Sequence, residues 1–220
     1  MNKIKLLYDI ATTMKKSDKI AGVLGVRVRK DQDEVFTLRN EFEKATTGQA
    51  KTTVSAELNL DGRHVKREST TEFELSGCCG HGHGHGPGML RRMFHGKGEG
   101  DRCCGVRGVF GKLSAAFGIL NGIEAEERED GGARLTLNLD ALPEELKAGL
   151  LEKLRHKAEH CCHHGSLAGC QVEAVHGQVT VEVDRERKIE KIVVGLDGSM
   201  SGRDEGVHEV TASGEVAFAW

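Results

Sequence analysis

The chain of 220 residues has a formal net charge of −3 and a sequence pI near 6.4, so no global attraction to nucleic acid or to an anionic membrane is expected. No run approaches the roughly 20 apolar residues that a membrane-spanning helix needs. The seven cysteines are odd in number and mostly adjacent, which is a poor disulfide framework. These features predict a cytoplasmic protein without a nucleic-acid partner and without stable membrane insertion.

The first third of the chain predicts a helix followed by antiparallel strands. Alternating apolar residues predict four strands between residues 24 and 75. Asp61-Gly62 between the last two indicates a hairpin turn, because both residue types tolerate a positive φ. Asp9 interrupts the apolar run near the start, so that segment is interpreted as an amphipathic helix rather than a signal peptide. Its apolar stripe consists of Ile4, Leu7, Tyr8, Ala11 and Met14.

The rest of the chain alternates helices with further strands. A second helix is predicted to end at Asn121-Gly122, and Pro143 with the glutamates after it opens a third. Between them lies a hairpin with its turn at 130–132. Three more strands follow, with Asp197-Gly198 as a turn signal and a loop at 199–206. We therefore expect an α+β single domain over residues 1–220, in which about nine strands form one curved, half-barrel-like antiparallel sheet with three helices packed on one face.

One family resemblance lies in this order of elements. An N-terminal helix feeds a meander, and the later strand 134–140 runs into Leu142-Pro143-Glu144-Glu145. This order resembles that of LolA/LppX-type lipoprotein carriers over most of the chain. The resemblance implies a half-barrel fold. It also keeps open a function as a non-enzymatic carrier of an apolar ligand in the half-barrel cavity, with the Cys/His-rich insertion described next as a lid.

Potential metal ligands are concentrated in two segments, of which the first is predicted to be a flexible Cys/His/Gly-rich insertion at 76–105. Thiolate and imidazole are ligands that zinc, nickel and copper(I) prefer. The alternating run from His81 to His85 is similar to the histidine-rich tracts of nickel and zinc accessory proteins, and its glycines would let several imidazoles turn to one ion. The candidate ligands are Cys78, Cys79, His81, His83, His85, His95, Cys103 and Cys104.

The second segment begins on the predicted third helix. Four-residue spacing places two histidines on a common helix face, and a third ligand just beyond them would complete a site. The alternative is a solvated helix end, where histidine suits the helix dipole. The candidate ligands are His156, His160, Cys161, Cys162, His163 and His164. Whether the two segments share one site stays open at this stage.

These segments indicate a metal-binding protein that sequesters, buffers or delivers zinc, nickel or copper. No general base or activated nucleophile accompanies them in a recognisable spacing, so the protein is expected not to be an enzyme, with a metal-dependent hydrolase as the alternative. His64, His176 and His208 stand alone in strand patterns and are interpreted as surface or hydrogen-bonded core residues. The sequence identifies no protein partner.

Overall fold

A computed structural model of the protein describes residues 2–60, 62–74, 118–161, 171–201 and 206–220. Within these ranges, nine strands form one curved, unclosed antiparallel sheet, which confirms the predicted α+β class. The strands are β1 (Ile20–Lys30), β2 (Asp33–Lys44), β3 (Gln49–Leu60), β4 (Arg63–Glu74), β5 (Ile123–Glu127), β6 (Ala133–Asn138), β7 (Gln171–Val183), β8 (Ile189–Ser201) and β9 (Val207–Ala219). The helices are α1 (Lys3–Lys16), α2 (118–122 of the described chain), a 3₁₀ turn (Leu139–Ala141) and α3 (Glu144–Cys161).

The strand order across the sheet is β4-β3-β2-β1-β9-β8-β7-β6-β5. Each neighbouring pair is antiparallel, and β1 joins the two halves of the sheet by pairing with β9 from Ala21–Ala219 to Lys30–Val210. Strands β4 and β5 are consecutive in sequence but lie at opposite edges. The chain between Glu74 and Ile123 therefore connects one edge of the sheet to the other.

The sheet has one apolar and one polar face. Residues directly opposite each other on antiparallel strands point to the same side. When the register is followed from strand to strand, the alternating apolar residues of the paired strands fall on the same side of the sheet. We call this side the apolar face. On β9 the side chains of this face are half-buried, whereas the intervening ones are exposed. Members of the apolar face include Leu24, Val26, Leu38, Val54, Val194 and Val216.

The buried core lies where α1 packs on the apolar face of β6 and β7. Leu6, only 3% exposed, and Ile10 of α1 form one cluster with Leu135 and Val183. Ala133 completes the buried part of the cluster. In α1, Asn2 caps the helix by accepting a hydrogen bond from the backbone N–H of Lys5, at 3.1 Å. A capped amphipathic helix thus covers the apolar face at β6 and β7.

The predicted stripe of α1 was partly wrong. Ile4 and Tyr8 are 65% and 70% exposed, while the buried positions are Leu6 and Ile10. The predicted Leu7 and Met14 do pack beside this cluster. Large aliphatic side chains at positions 6, 7, 10 and 14 also follow helical spacing, and packing against the sheet selects this face over the one that begins at Ile4.

Two predicted turns are confirmed and a third is wrong. Gly62 and Gly131 have φ of 73° and 81°, as hairpin turns require. In contrast, Asp197-Gly198 lies inside β8, opposite His176 and Val175 of β7. The register of β7 shifts just before this point, and a Cβ added at Gly198 would clash with the carbonyl oxygen of Ala174. Gly198 therefore allows β7 and β8 to approach each other closely and does not form a turn.

Candidate ligand-binding face

The apolar face extends well beyond the part that α1 covers. The buried cluster involves β6 and β7, whereas the apolar side chains of β1, β2 and β9 are half-buried. Toward the β4 edge their exposure rises, to 40% for Leu58 of β3 and 57% for Val65 of β4. Within the described ranges, the buried cluster under α1 includes no residue of β1, β2, β3 or β9.

A shallow depression lies in the middle of this face, at Gly214 of β9. Gly214 is directly opposite Val26 of β1 and Val194 of β8. A Cβ added at Gly214 would approach other described atoms only to 3.9 Å, at the carbonyl oxygen of Gly25, and 4.0 Å, at Cγ2 of Val26. The missing side chain therefore leaves open space between two valines, which is a suitable seat for a narrow apolar group.

Aromatic rings border the same face at one end of the strands. The rings of Phe42 and Phe218 meet edge to face with centroids 6.0 Å apart, and Trp220 stacks on Phe218 at 5.9 Å. The indole N–H of Trp220 donates a hydrogen bond of 2.9 Å to the backbone carbonyl of Ile189. These contacts hold the only tryptophan of the chain at the border of the apolar face.

The opposite face is dominated by exposed ion pairs between neighbouring strands. Lys51 of β3 lies 2.9 Å from Glu72 of β4, and their hydrogen bond raises the pKa of Lys51 and lowers the pKa of Glu72. Similar pairs join β6 to β7 and β8 to β9: Arg134–Glu182 and Lys191–Glu215. Because pairs of this kind stay hydrated, they give little stability but make this side unsuited to an apolar ligand.

The three isolated histidines lie on the surface, and each contacts a carboxylate. The ring nitrogens lie 2.6 Å from Glu57 for His64, 2.7 Å from Asp140 for His176 and 3.0 Å from Asp31 for His208. The hydrogen bond with His208, supported by the backbone N–H of Glu209, lowers the pKa of Asp31 below its ordinary value. This arrangement is consistent with the prediction that these histidines are surface or hydrogen-bonded core residues.

A polar cleft of about 560 Å³ lies between the β1–β2 and β3–β4 turns. Its charged lining mixes both signs: Lys30, Asp31, Asp33, Glu34, Arg63 and His64. Catalysis by general acids and bases requires groups with matched pKa values around one reacting position. The open shape and mixed charge of this cleft do not define such a position.

None of the predicted metal ligands has a described side chain. The eight candidates from Cys78 to Cys104 and the three from Cys162 to His164 lie outside the described residues. His156, His160 and Cys161 lie on α3, where only the backbone is described, and its helical course keeps His156 and His160 on one face. Among the residues that the structure does describe, no group of three or more His, Cys, Asp or Glu side chains is arranged to hold a metal.

Two features of the surface were not predicted from the sequence. The sequence predicted helices packed on one face of the sheet but not how much of that face they bury, and within the described residues the buried cluster lies under α1. It also did not predict that β4 is an edge strand, although Val65 and Phe73 of β4 are 57% and 42% exposed. The charges of β4 carried a signal, since lysine and glutamate at alternate positions are frequent on edge strands.

No protein-family model matches the chain, and no curated protein is significantly similar in sequence. A search of solved structures returned dehydratase domains of the borrelidin and fluvirucin polyketide synthases, at 10% identity over 88% of this chain and 72% of that chain, with a TM-score of 0.17. The tesB protein of Mycobacterium avium subs paratuberculosis aligns at 10% identity over 99% and 86% of the two chains, with a TM-score of 0.18. Such TM-scores define no shared fold, so neither structure carries an inference about this protein.

No helix in the described parts of the chain is both long and apolar enough to cross a membrane. The fold and this face define an α+β protein whose single curved sheet has a partly covered apolar face.

Proposed function

We propose that the protein is a non-enzymatic carrier of an apolar ligand, such as an acyl chain, which lies along the apolar face. The observation that carries this proposal is the continuity of half-buried apolar side chains across β2, β1 and β9, beyond the cluster that α1 buries. The depression at Gly214 lies at the centre of this surface. The element order similar to LolA/LppX-type carriers points in the same direction.

The energetics favour a ligand with a long hydrocarbon part. Each methylene removed from water contributes about 0.8 kcal/mol, so eight buried methylenes would give about 6 kcal/mol before the ordering of the ligand is subtracted. The β strands rise about 3.4 Å per residue, so a strand of 13 residues such as β9 is long enough to lie beside an extended acyl chain. Binding of this kind needs no chemical step.

Two valines of β1 provide a matched test of the proposal. Val26 belongs to the apolar face, whereas Val23 points to the other side, opposite Glu41 and Ala217. The test is titration of the delipidated protein with a fluorescent fatty-acid analogue. Val26→Asn should weaken binding about 5- to 30-fold, since it removes about 1–2 kcal/mol of apolar contact. Val23→Asn should leave the affinity unchanged, and circular dichroism would verify that both variants are folded.

Equal weakening by both variants would show that the analogue does not bind to the apolar face. A delipidated wild-type protein that fails to bind the analogue would also contradict the proposal. As an independent readout, native mass spectrometry of protein purified without delipidation should show an added mass that disappears after lipid extraction. The emission of Trp220, which borders the apolar face, should change when the ligand binds.

As a second function, we propose sequestration or delivery of a zinc, nickel or copper ion by the two Cys/His segments. All seven cysteines and eight of the eleven histidines fall within 78–104 and 156–170. The other three histidines have carboxylate partners on the surface. Such confinement is the single observation that favours this function.

Chain length permits the two segments to meet. A Cβ added at Gly118 would lie 3.1 Å from Cγ of Pro143, so Gly118 is close to the start of α3. The 18 residues of α3 span about 27 Å from there to Cys161. Cys104 precedes Gly118 by 14 positions, which corresponds to a maximum reach of about 46–50 Å. A shared site is therefore within the reach of the chain.

Elemental analysis of untagged protein, purified anaerobically without a metal column, tests this second function. Two variants should be compared, one with alanine at the Cys and His positions of 78–104 and one with alanine at those of 156–164. If the site is shared, each variant should lose most of the bound metal. Wild-type stoichiometry in both variants would show that these segments are not the ligands.

A further inference from the structure

Strand β4 is a long edge strand whose outer side has no partner strand among the described residues. It spans 12 residues, and every one of them is exposed. Its inner side pairs with β3 along its whole length, from Gln49–Glu74 to Leu60–Arg63. An exposed edge of this length presents a row of unpaired N–H and C=O groups that can pair with another strand.

We propose that β4 pairs antiparallel with β4 of a second copy of this chain, around a two-fold axis that passes through Ser69. The two nine-stranded sheets would then form one continuous sheet. We assign a second copy of the chain to this edge because, in this register, charged residues of β4 lie opposite residues of opposite charge in the second β4. The inference holds whether or not the apolar face binds a ligand.

Charge complementarity is the first argument. With the axis at Ser69, Lys66 lies opposite Glu72 of the second copy, and His64 lies opposite Glu74. The two-fold symmetry produces each pair twice. Oppositely charged residues directly across an antiparallel pair stabilise it, whereas like charges destabilise it. In this register no two like charges lie directly opposite each other.

The neighbouring registers all oppose like charges. An axis must pass through a residue, since an axis between two residues would place the apolar face of one copy beside the polar face of the other. An axis at Arg67 places this arginine opposite its own copy, and an axis at Glu68 does the same for glutamate. An axis at Thr70 places Glu68 opposite Glu72. An axis at Thr71 places Glu68 opposite Glu74, and an axis at Val65 places Arg63 opposite Arg67. Among the axes from Val65 to Thr71, only the one at Ser69 therefore opposes no two like charges.

The apolar face supplies the second argument. In the same register Val65 lies opposite Phe73 of the second copy, again twice. These are exposed apolar residues of the strand, at 57% and 42%. An aromatic ring opposite a β-branched side chain is a favourable cross-strand pair. Pairing at Ser69 therefore brings Val65 beside Phe73 at both ends of the seam, with the polar residues Arg67, Ser69 and Thr71 between them on the same face.

Existing ion pairs on the polar face would be extended rather than broken. Lys66 lies 3.0 Å from Glu68, and Glu72 lies 2.9 Å from Lys51 of β3. Placing Lys66 opposite Glu72 of the second copy joins these pairs into an alternating series of four charges. Because all of these side chains are solvent-exposed, the association should weaken as ionic strength rises.

Charge reversal tests the register in solution by sedimentation equilibrium over a concentration series. Lys66→Glu places glutamates opposite each other twice, and Glu72→Lys places lysines opposite each other twice. Each variant alone should dimerise about tenfold or more weakly than the wild type. An equimolar mixture of the two should recover dimers, because the mixed pair regains both opposite-charge contacts. A monomeric wild type, or dimers insensitive to both substitutions, would overturn the proposal.

Cross-linking provides a test that does not depend on altered charges. Ser69→Cys places the two introduced thiols directly opposite each other at the axis, so oxidation should join the two copies by a disulfide at this position, identified by peptide mass spectrometry. Thr71→Cys is the matched control, since residue 71 would lie opposite Arg67 of the second copy. Equal cross-linking of both variants, or none at Ser69→Cys, would show that this register is wrong.

Discussion

Nδ1 of His208 lies 3.0 Å from Oδ2 of Asp31, which joins the start of β9 to the turn between β1 and β2. The same aspartate accepts a hydrogen bond from the backbone N–H of Glu209 at 3.1 Å, and it has a positive φ of 59°. Asparagine tolerates this conformation about as well as aspartate. A change from Asp31 to asparagine therefore removes the charge while keeping the turn.

The pH dependence of stability should report this contact. The pKa of Asp31 is lowered in the folded protein, chiefly by the hydrogen bond with His208. The ionised carboxylate therefore contributes stability above its ordinary pKa, and that contribution is lost as the pH falls through the folded-state value. Asp31→Asn should melt below the wild type near neutral pH, and the difference should vanish in acid. Thermal melting of the wild type and the variant over a range of pH measures this difference. Asp33→Asn, from the same turn, is the control.

Gly22 and Gly25 on β1 should respond oppositely to alanine. A Cβ at Gly22 would lie 2.6 Å from the carbonyl oxygen of Ala217 and 2.7 Å from Cζ of Phe42, whereas one at Gly25 would meet no described atom within 4 Å. Gly22→Ala should therefore cost about 1–3 kcal/mol in the free energy of unfolding. Gly25→Ala should be neutral or stabilising by up to about 1 kcal/mol, because alanine restricts the unfolded chain. Urea unfolding measures both, and equal effects would contradict the packing around Gly22.

Alanine substitutions in α1 should lower the free energy of unfolding at buried positions and leave it nearly unchanged at exposed ones. Leu6→Ala creates a cavity in the cluster with Leu135 and Val183 and should cost about 2–4 kcal/mol. Ile4→Ala removes a similar aliphatic group from a side chain that is 65% exposed, so its effect should stay below about 0.5 kcal/mol. Denaturant unfolding followed by circular dichroism gives both values. A larger loss for Ile4→Ala would mean that α1 packs on the sheet through another face.

Gly214→Val should change stability and ligand affinity in opposite directions. Valine replaces the most flexible residue type with one suited to strands and fills the space between Val26 and Val194, so the free energy of unfolding should rise by about 0.5–1 kcal/mol. The fatty-acid analogue should bind several-fold more weakly, because the depression would be occupied. Unfolding and titration on the same preparation test this. Unchanged affinity with raised stability would place the ligand elsewhere on the protein.

Much of the fold followed from local patterns. The alternation of apolar residues predicted the strands, and glycines with positive φ marked two of the hairpin turns, including Gly62. Asp197-Gly198 was misread because the same dipeptide serves a turn or a close approach between strands. What decides between them is the shifted register of β7 beside Ala174, and a shift in a distant strand leaves no trace in the local sequence.

The candidate face was less predictable than the strands. Alternation shows that Val26 and Val216 each point to an apolar side, but only the pairing of β1 with β9 places them on one surface. Which part of that surface is buried depends on where α1 docks, and its stripe allowed two faces, one with Ile4 and one with Leu6. The Cys and His residues were predicted as metal ligands from their side-chain chemistry alone, because composition identifies potential ligands but not their positions in space.

The pairing of β1 with β9 also has a kinetic consequence. Ala21 pairs with Ala219, which a ribosome adds about 200 residues later, or roughly 10–40 s later at the usual speed of synthesis. The four-stranded meander β1–β4 can form early, because all of its pairings are local. Until β9 emerges, however, the nascent meander has a second open edge at β1 and an apolar side without its neighbours. Chaperone protection during this interval should therefore govern how much of the newly made protein escapes aggregation.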